Sequence, residues 1–151
     1  MPTAQLTSQE VEAEPFSIWN SFINLLAEYS YEELSAEQRP AHLVFWYESE
    51  VQNGGHLQYF ENRGVEHLAE TIAALGLVGA SCQQQLLKEA STLFLGHPRK
   101  PIETVEEYVS IAMEDEFGVF DQGFGLCSPS LVSRLDYYLK THQSIFVTIR
   151  S

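Results

Sequence analysis

The stretch "ESEVQNGGHLQYFENRG", Glu48–Gly64, sets the layout of the chain, because two adjacent glycines interrupt residues that otherwise read as helix. A glycine in a helix interior costs about 1 kcal/mol relative to alanine, so a pair of them needs a reason. Two reasons compete. Gly54 and Gly55 build a corner between two helices, or they leave room for another group to approach the backbone. Asn53 and Gly54 both tolerate left-handed backbone and form a usual helix stop, which favours the corner. Gly55 then opens the next helix at a sharp angle. Gln58 and Tyr59 follow within a turn, where they can tie back to loose carbonyls of the first helix or line a pocket.

Upstream of the corner, "PAHLVFWYESEVQN" starts with Pro40 in a first helical turn and carries five successive apolar or aromatic residues, Leu43–Tyr47. Such a segment is covered on nearly all sides, so it reads as the central helix. Before it, Phe16, Trp19, Phe22, Ile23 and Leu26 recur at helical spacing, and Ser30 with Glu33 forms a capping box, as Ser35 with Gln38 does by spacing. Beyond the corner, Val65, Leu68, Ile72 and Leu75 make one helical face, and Cys82, Leu86, Ala90 and Leu93 another. Thr104 with Glu107 opens a further helix, with Val105, Tyr108, Val109, Ala112 and Met113 expected inward. "FGVFDQGFGLCSP" has three glycines and no period, and reads as a long loop. Ser128 and Pro129 are the expected start of a last helix with Leu131, Val132, Leu135, Tyr138 and Leu139 inward. The tail "SIFVTIRS" alternates as one extended segment. One strand makes no sheet, so the expected class is all-α: a single compact domain of about seven helices spanning 15–151, preceded by a flexible acidic tail, 1–14.

At 151 residues with 44% hydrophobic content, the chain is long enough to bury a core. No apolar run reaches membrane-spanning length, and the N-terminus has neither the basic nor the apolar part of a signal peptide. Cys82 and Cys127 are too few for a disulfide framework, and neither is flanked by positive charge, so both read as inert thiols in a cytoplasmic protein. Net charge is −13, and fourteen of the twenty-one acids fall in residues 1–38 and 101–133, which contain no Lys or Arg. That field disfavours nucleic acid and anionic membranes and favours a basic partner.

No catalytic or cofactor motif occurs, and no metal-ligand spacing. His67 and Glu70 lie three apart on a helix face, a spacing that suits a surface ion pair. The sequence therefore reads as a non-enzyme without cofactor or metal.

Asn53, Gly54, Gly55, Gln58, Tyr59, Phe60 and Asn62 resemble the motif "NGG-[FH]-x-QYF-x-N" of a bacterial DNA-mimic protein domain family, long catalogued as a domain of unknown function. The resemblance extends over about residues 15–142, and His56 stands where phenylalanine is often found. It implies an all-α fold and, for some members, carboxylates that a DNA-binding protein reads as phosphates. The expected partner is thus a basic DNA-binding protein, a transcription factor or a histone-like protein, with a role in transcription regulation; a homodimer is left open. The acidic residues expected to meet it are Glu103, Glu106, Glu107, Glu114, Asp115, Glu116 and Asp121, with Glu28, Glu32 and Glu33 from the first block. Glu103, Glu107 and Glu114 are expected near one helix face. Two alternatives stand beside mimicry: an acidic interaction module that does not compete with DNA, and a small-ligand or enzymatic role at the motif pocket.

Overall fold

The computed structural model describes all residues, 1–151. Its order is β1 (Ala4–Thr7), α1 (Ser8–Ala13), α2 (Ser17–Glu28), a 3-10 turn (Tyr31–Glu33), α3 (Arg39–Arg63), α4 (Leu68–Leu77), α5 (Ser81–Leu95), α6 (Val105–Met113), α7 (Gly118–Leu126), α8 (Leu131–Thr141), a second 3-10 turn (Gln143–Ile145) and β2 (Val147–Arg150). The class is all-α, with one small two-stranded sheet. As its aromatic run demands, α3 is the centre: α2, α4, α7 and α8 all pack on it. Ala41, Val44, Tyr47 and Phe60 from α3 are buried, and Phe60 stacks on Phe94 of α5 with ring centroids 4.3 Å apart.

Three of the capping pairs read from the sequence are realised in place. Ser30 and Glu33 exchange the two bonds of a capping box, Ser35 and Gln38 do likewise, and the Thr104 hydroxyl accepts from the Glu107 amide. Each such cap is worth about 1 kcal/mol of helix stability.

Four local readings are corrected. Residues 4–13 are not a frayed tail: β1 pairs in parallel with β2, Ala4 opposite Val147 and Thr7 opposite Arg150, and Thr7 caps α1. The fully buried Gln38 amide clamps this sheet by donating to the carbonyls of Pro2 and Ile145, at 2.6 and 2.7 Å. The glycine-rich segment is α7 rather than a loop. Phe117, Phe120 and Phe124 drive it onto the core, and Gly123 lets it approach α5, where an added Cβ would meet Leu86 at 3.1 Å. The last helix is capped by Ser130, not Ser128, and Pro129 stays outside it. Finally, α6 buries none of its residues: only Tyr108 and Ile111 reach the core, while Val105, Val109, Ala112 and Met113 are exposed.

Cys82 and Cys127 are joined in a disulfide and no cysteine is free, which overturns their reading as separate thiols and removes the cysteine argument for a cytoplasmic setting. The bridge links the first turn of α5 to the C-terminal cap of α7, 45 residues on. Loop closure of this length is worth a few kcal/mol, but α5 and α7 also pack directly. Reduction should therefore lower stability by about 2 kcal/mol without unfolding the domain. Thermal melts with and without dithiothreitol check this; identical melts would show that the bridge constrains nothing.

Candidate functional site

Both explanations offered for the two glycines hold. α3 breaks at Gly54 (φ −152°, ψ 16°) and Gly55 (φ 77°, ψ −174°), so the corner exists. The second helical half is also approached closely. A Cβ on Gly55 would lie 2.5 Å from Asp121 Oδ2, and one on Gly54 would collide with the Gln58 side chain. Asp121 reaches across from α7 and accepts the His56 backbone N–H at 2.8 Å and the His56 ring Nδ1 at 2.7 Å. A carboxylate only accepts, so Nδ1 carries the proton, and in the neutral ring Nε2 receives the Tyr47 hydroxyl at 2.7 Å. Thus Asp121 caps the restarted helix, fixes the imidazole tautomer and secures a buried phenol.

This Tyr–His–Asp chain has the connectivity of a proton relay, but Tyr47 and His56 are both 0% exposed. Burial pushes the Tyr47 phenol well above its ordinary value near 10, so it holds its proton. No substrate reaches the chain's inner end. Only its outer end, Asp121, with a side chain 36% exposed, meets solvent.

Of the motif side chains, Tyr59 and Phe60 are buried, Gln58 donates to Glu50 at 3.2 Å, and Asn53 and Asn62 are exposed. Gln58 thus ties to a carboxylate of the preceding helical half, not to an orphan carbonyl. Glu50 is itself buried and lies 3.4 Å from the Arg63 guanidinium, which stacks on Trp46 at 3.7 Å. Tyr59 and Asn62 line a cavity of about 470 Å³ between the first 3-10 turn, α3 and the α3–α4 turn. Its other walls include Tyr29, Tyr31, His42, Trp46 and His67, with Glu28, Glu32, Glu33 and Glu66 around it. The cavity falls within the size range of small-molecule sites.

The expected acidic residues divide. Glu103, Glu106, Glu107, Glu114 and Asp115 are exposed, as are Glu28, Glu32 and Glu33. Asp121 is engaged with His56, and Glu116 is held in a two-pronged pair with Arg99 at 2.7 and 2.9 Å. Hydrogen bonding by Arg99, with its positive charge, keeps the Glu116 carboxyl below the usual carboxylate range. Glu103, Glu107 and Glu114 do not share one helix: Glu103 precedes the N-cap Thr104 and Glu114 is the C-cap. They frame α6 instead. Between them, Val105, Val109 and Met113 project outward at 77%, 49% and 80% exposure, an apolar stripe at four-residue spacing.

His56 and Asp121 are the pair that the sequence reading did not connect. The available signal was a histidine at a position suited to phenylalanine, since a buried imidazole must find partners. Nothing local names the partner, 65 residues away.

A family model described as DMP19-like protein matches residues 32–142. The chain therefore belongs to the DMP19-like family, the DNA-mimic family its glycine motif resembles. No curated protein and no solved structure matches the chain.

Proposed function

We propose, with membership of the DMP19-like family as the premise, that the chain binds a basic DNA-binding protein and competes with DNA for that protein's nucleic-acid surface. The supporting observation is the exposed side of α6. Acidity alone would suit any solvated helix, but a solvated helix does not ordinarily present Val105, Val109 and Met113 in one outward row. An apolar stripe rimmed by charge is the make-up of a protein-binding surface, with the apolar centre supplying contact area and the rim supplying steering. Here the rim is Glu103, Glu106, Glu107, Glu114 and Asp115, all exposed, so the complementary partner is basic. Basic surfaces of DNA-binding proteins meet phosphates through Lys and Arg, and carboxylates on a fixed frame satisfy the same side chains. Half-buried Tyr108 and Ile111 seat α6 against the core and Thr104 caps it.

On this reading the chain acts by binding and needs no reaction of its own. A bacterial cytoplasmic setting, with access to DNA-binding proteins, goes with it. No helix is long and apolar enough to cross a membrane.

Capture of a partner from native lysate at low salt, followed by a gel-shift assay with the partner's own DNA site, tests the proposal. DNA should be released as this protein is added. A ternary complex of partner, DNA and this protein would replace competition with an ordinary acidic adaptor.

A further inference from the structure

We propose that Glu32, Glu66 and His67 form a site for a divalent transition-metal ion of the zinc class at the mouth of the 470 Å³ cavity. Each offers one ligand atom, and these atoms all lie within 4.8 Å of one another. The three come from two segments: Glu32 from the first 3-10 turn, Glu66 and His67 from the turn between α3 and α4. Two carboxylate oxygens and one imidazole nitrogen suit zinc, whose bonds to such ligands run about 2.0–2.2 Å and which leaves further positions to water. Glu32 and Glu66 are exposed, so inward rotation of their side chains would close the remaining gap around an ion.

The imidazole is already set up. The ring of His67 stacks on Tyr31 with centroids 3.8 Å apart, which fixes its plane. Nδ1 faces Glu70 at 3.9 Å, and Nε2 faces Glu66 at the same distance. Nε2, on the Glu66 side, is the ring nitrogen taken as the ligand atom; Glu70, 3.9 Å from Nδ1, is beyond hydrogen-bond reach and acts on the ring through its charge alone.

A second side chain points to a ligand independently. His42, only 6% exposed, lines the same cavity. Its Nδ1 contacts the Leu26 carbonyl at 3.0 Å, which leaves Nε2 as the ring nitrogen without a protein partner. A neutral imidazole so held keeps a lone pair for a ligand or for water in the cavity. Glu28, Glu32, Glu33 and Glu66 line the cavity against one lining cation, Arg63, which is answered by Glu50 and the face of Trp46, and a second cation, Arg39, lies over the Tyr31 ring. The local field therefore favours a positive occupant. Binding would tie the 3-10 turn to the α3–α4 turn. The site stands apart from α6 and does not depend on the proposed partner.

The test is calorimetric titration of the tag-free protein with zinc chloride in a non-coordinating buffer, alongside thermal melts. One saturable site is expected, with a Tm rise of roughly 5–10 °C at a hundredfold excess over Kd. Glu66→Gln and His67→Ala should each weaken binding at least tenfold, and Glu70→Gln should weaken it less. Glu66 has an 80% exposed side chain, so Glu66→Gln should melt with the wild type when no zinc is present. His97, 3.5 Å from Glu116, is the control: His97→Ala should leave binding unchanged. Absence of saturable heat would overturn the site. So would loss on His97→Ala with Glu66→Gln and His67→Ala unaffected.

Discussion

Replacing Gly55 with valine should destabilise the domain by about 4 kcal/mol, lowering Tm by roughly 8–16 °C for a chain of this length. Two effects add. Gly55 sits at φ 77°, ψ −174°, a backbone region open essentially to glycine alone, where another residue costs about 1–3 kcal/mol. Its missing Cβ is also the space that Asp121 occupies, since an added Cβ would lie 2.5 Å from Oδ2. Displacing that carboxylate would strand the His56 amide and ring N–H in the interior, at about 1–3 kcal/mol for each unsatisfied group. Gly54 is different. Its φ of −152° is negative and does not by itself require glycine, so a substitution there mainly meets the Gln58 side chain. Gly54→Ala should therefore be milder than Gly55→Val. Urea titrations of both variants check the order; a Gly55→Val protein that unfolds with the wild type would remove strain and close approach together.

How far the sequence could be read follows the range over which its signals act. The capping pairs Ser30–Glu33, Ser35–Gln38 and Thr104–Glu107 are legible because donor and acceptor lie three residues apart. The central helix is legible because five successive apolar side chains, Leu43–Tyr47, can only be covered from several sides. The family was legible in eight or so residues, because a glycine pair at a corner constrains its neighbours tightly. What escaped depends on distant groups. "AQLT" has no strand character of its own; it becomes β1 because β2 and Gln38 offer it hydrogen bonds. Residues 118–126 lack a clean period and carry three glycines, yet their phenylalanines find a core that favours helix. Cys82 and Cys127 pair only once α5 and α7 are packed.

The acids show the same limit at the candidate site. Among twenty-one carboxylates, nothing in the sequence distinguishes Asp121, which caps a buried histidine, from Glu106, which meets water. The stripe on α6 was legible as a period but not as a direction. Amphipathic spacing says that Val105, Val109 and Met113 share a face; it does not say whether that face meets the core or a partner. Here Tyr108 and Ile111, on the other side, took the core.

That division yields the last expected result. Reversing Glu103, Glu106 and Glu114 to lysine together should slow association with the basic partner by about 10- to 100-fold at low salt, with much less effect at high salt. Exposed rim charges steer encounter, and salt screens them over about 8–10 Å. Glu107 is left in place because its carboxylate accepts from the Thr104 hydroxyl, so reversing it would disturb the cap as well as the field. The three chosen are exposed, and the variant should keep the wild-type circular dichroism. Val109→Ser with Met113→Ser should behave differently. Those side chains are 49% and 80% exposed and would be covered only in the complex, so their loss should speed dissociation while leaving association nearly unchanged. Surface plasmon resonance at two salt concentrations separates the two signatures. If the lysine variant associates as fast as the wild type, the α6 rim does not steer the partner. Charge reversal at Glu28, Glu32 and Glu33 would then show whether the first acidic block carries the contact. If instead the serine variant alone is silent, the partner reads α6 purely as a row of charges, as it would read a phosphate backbone.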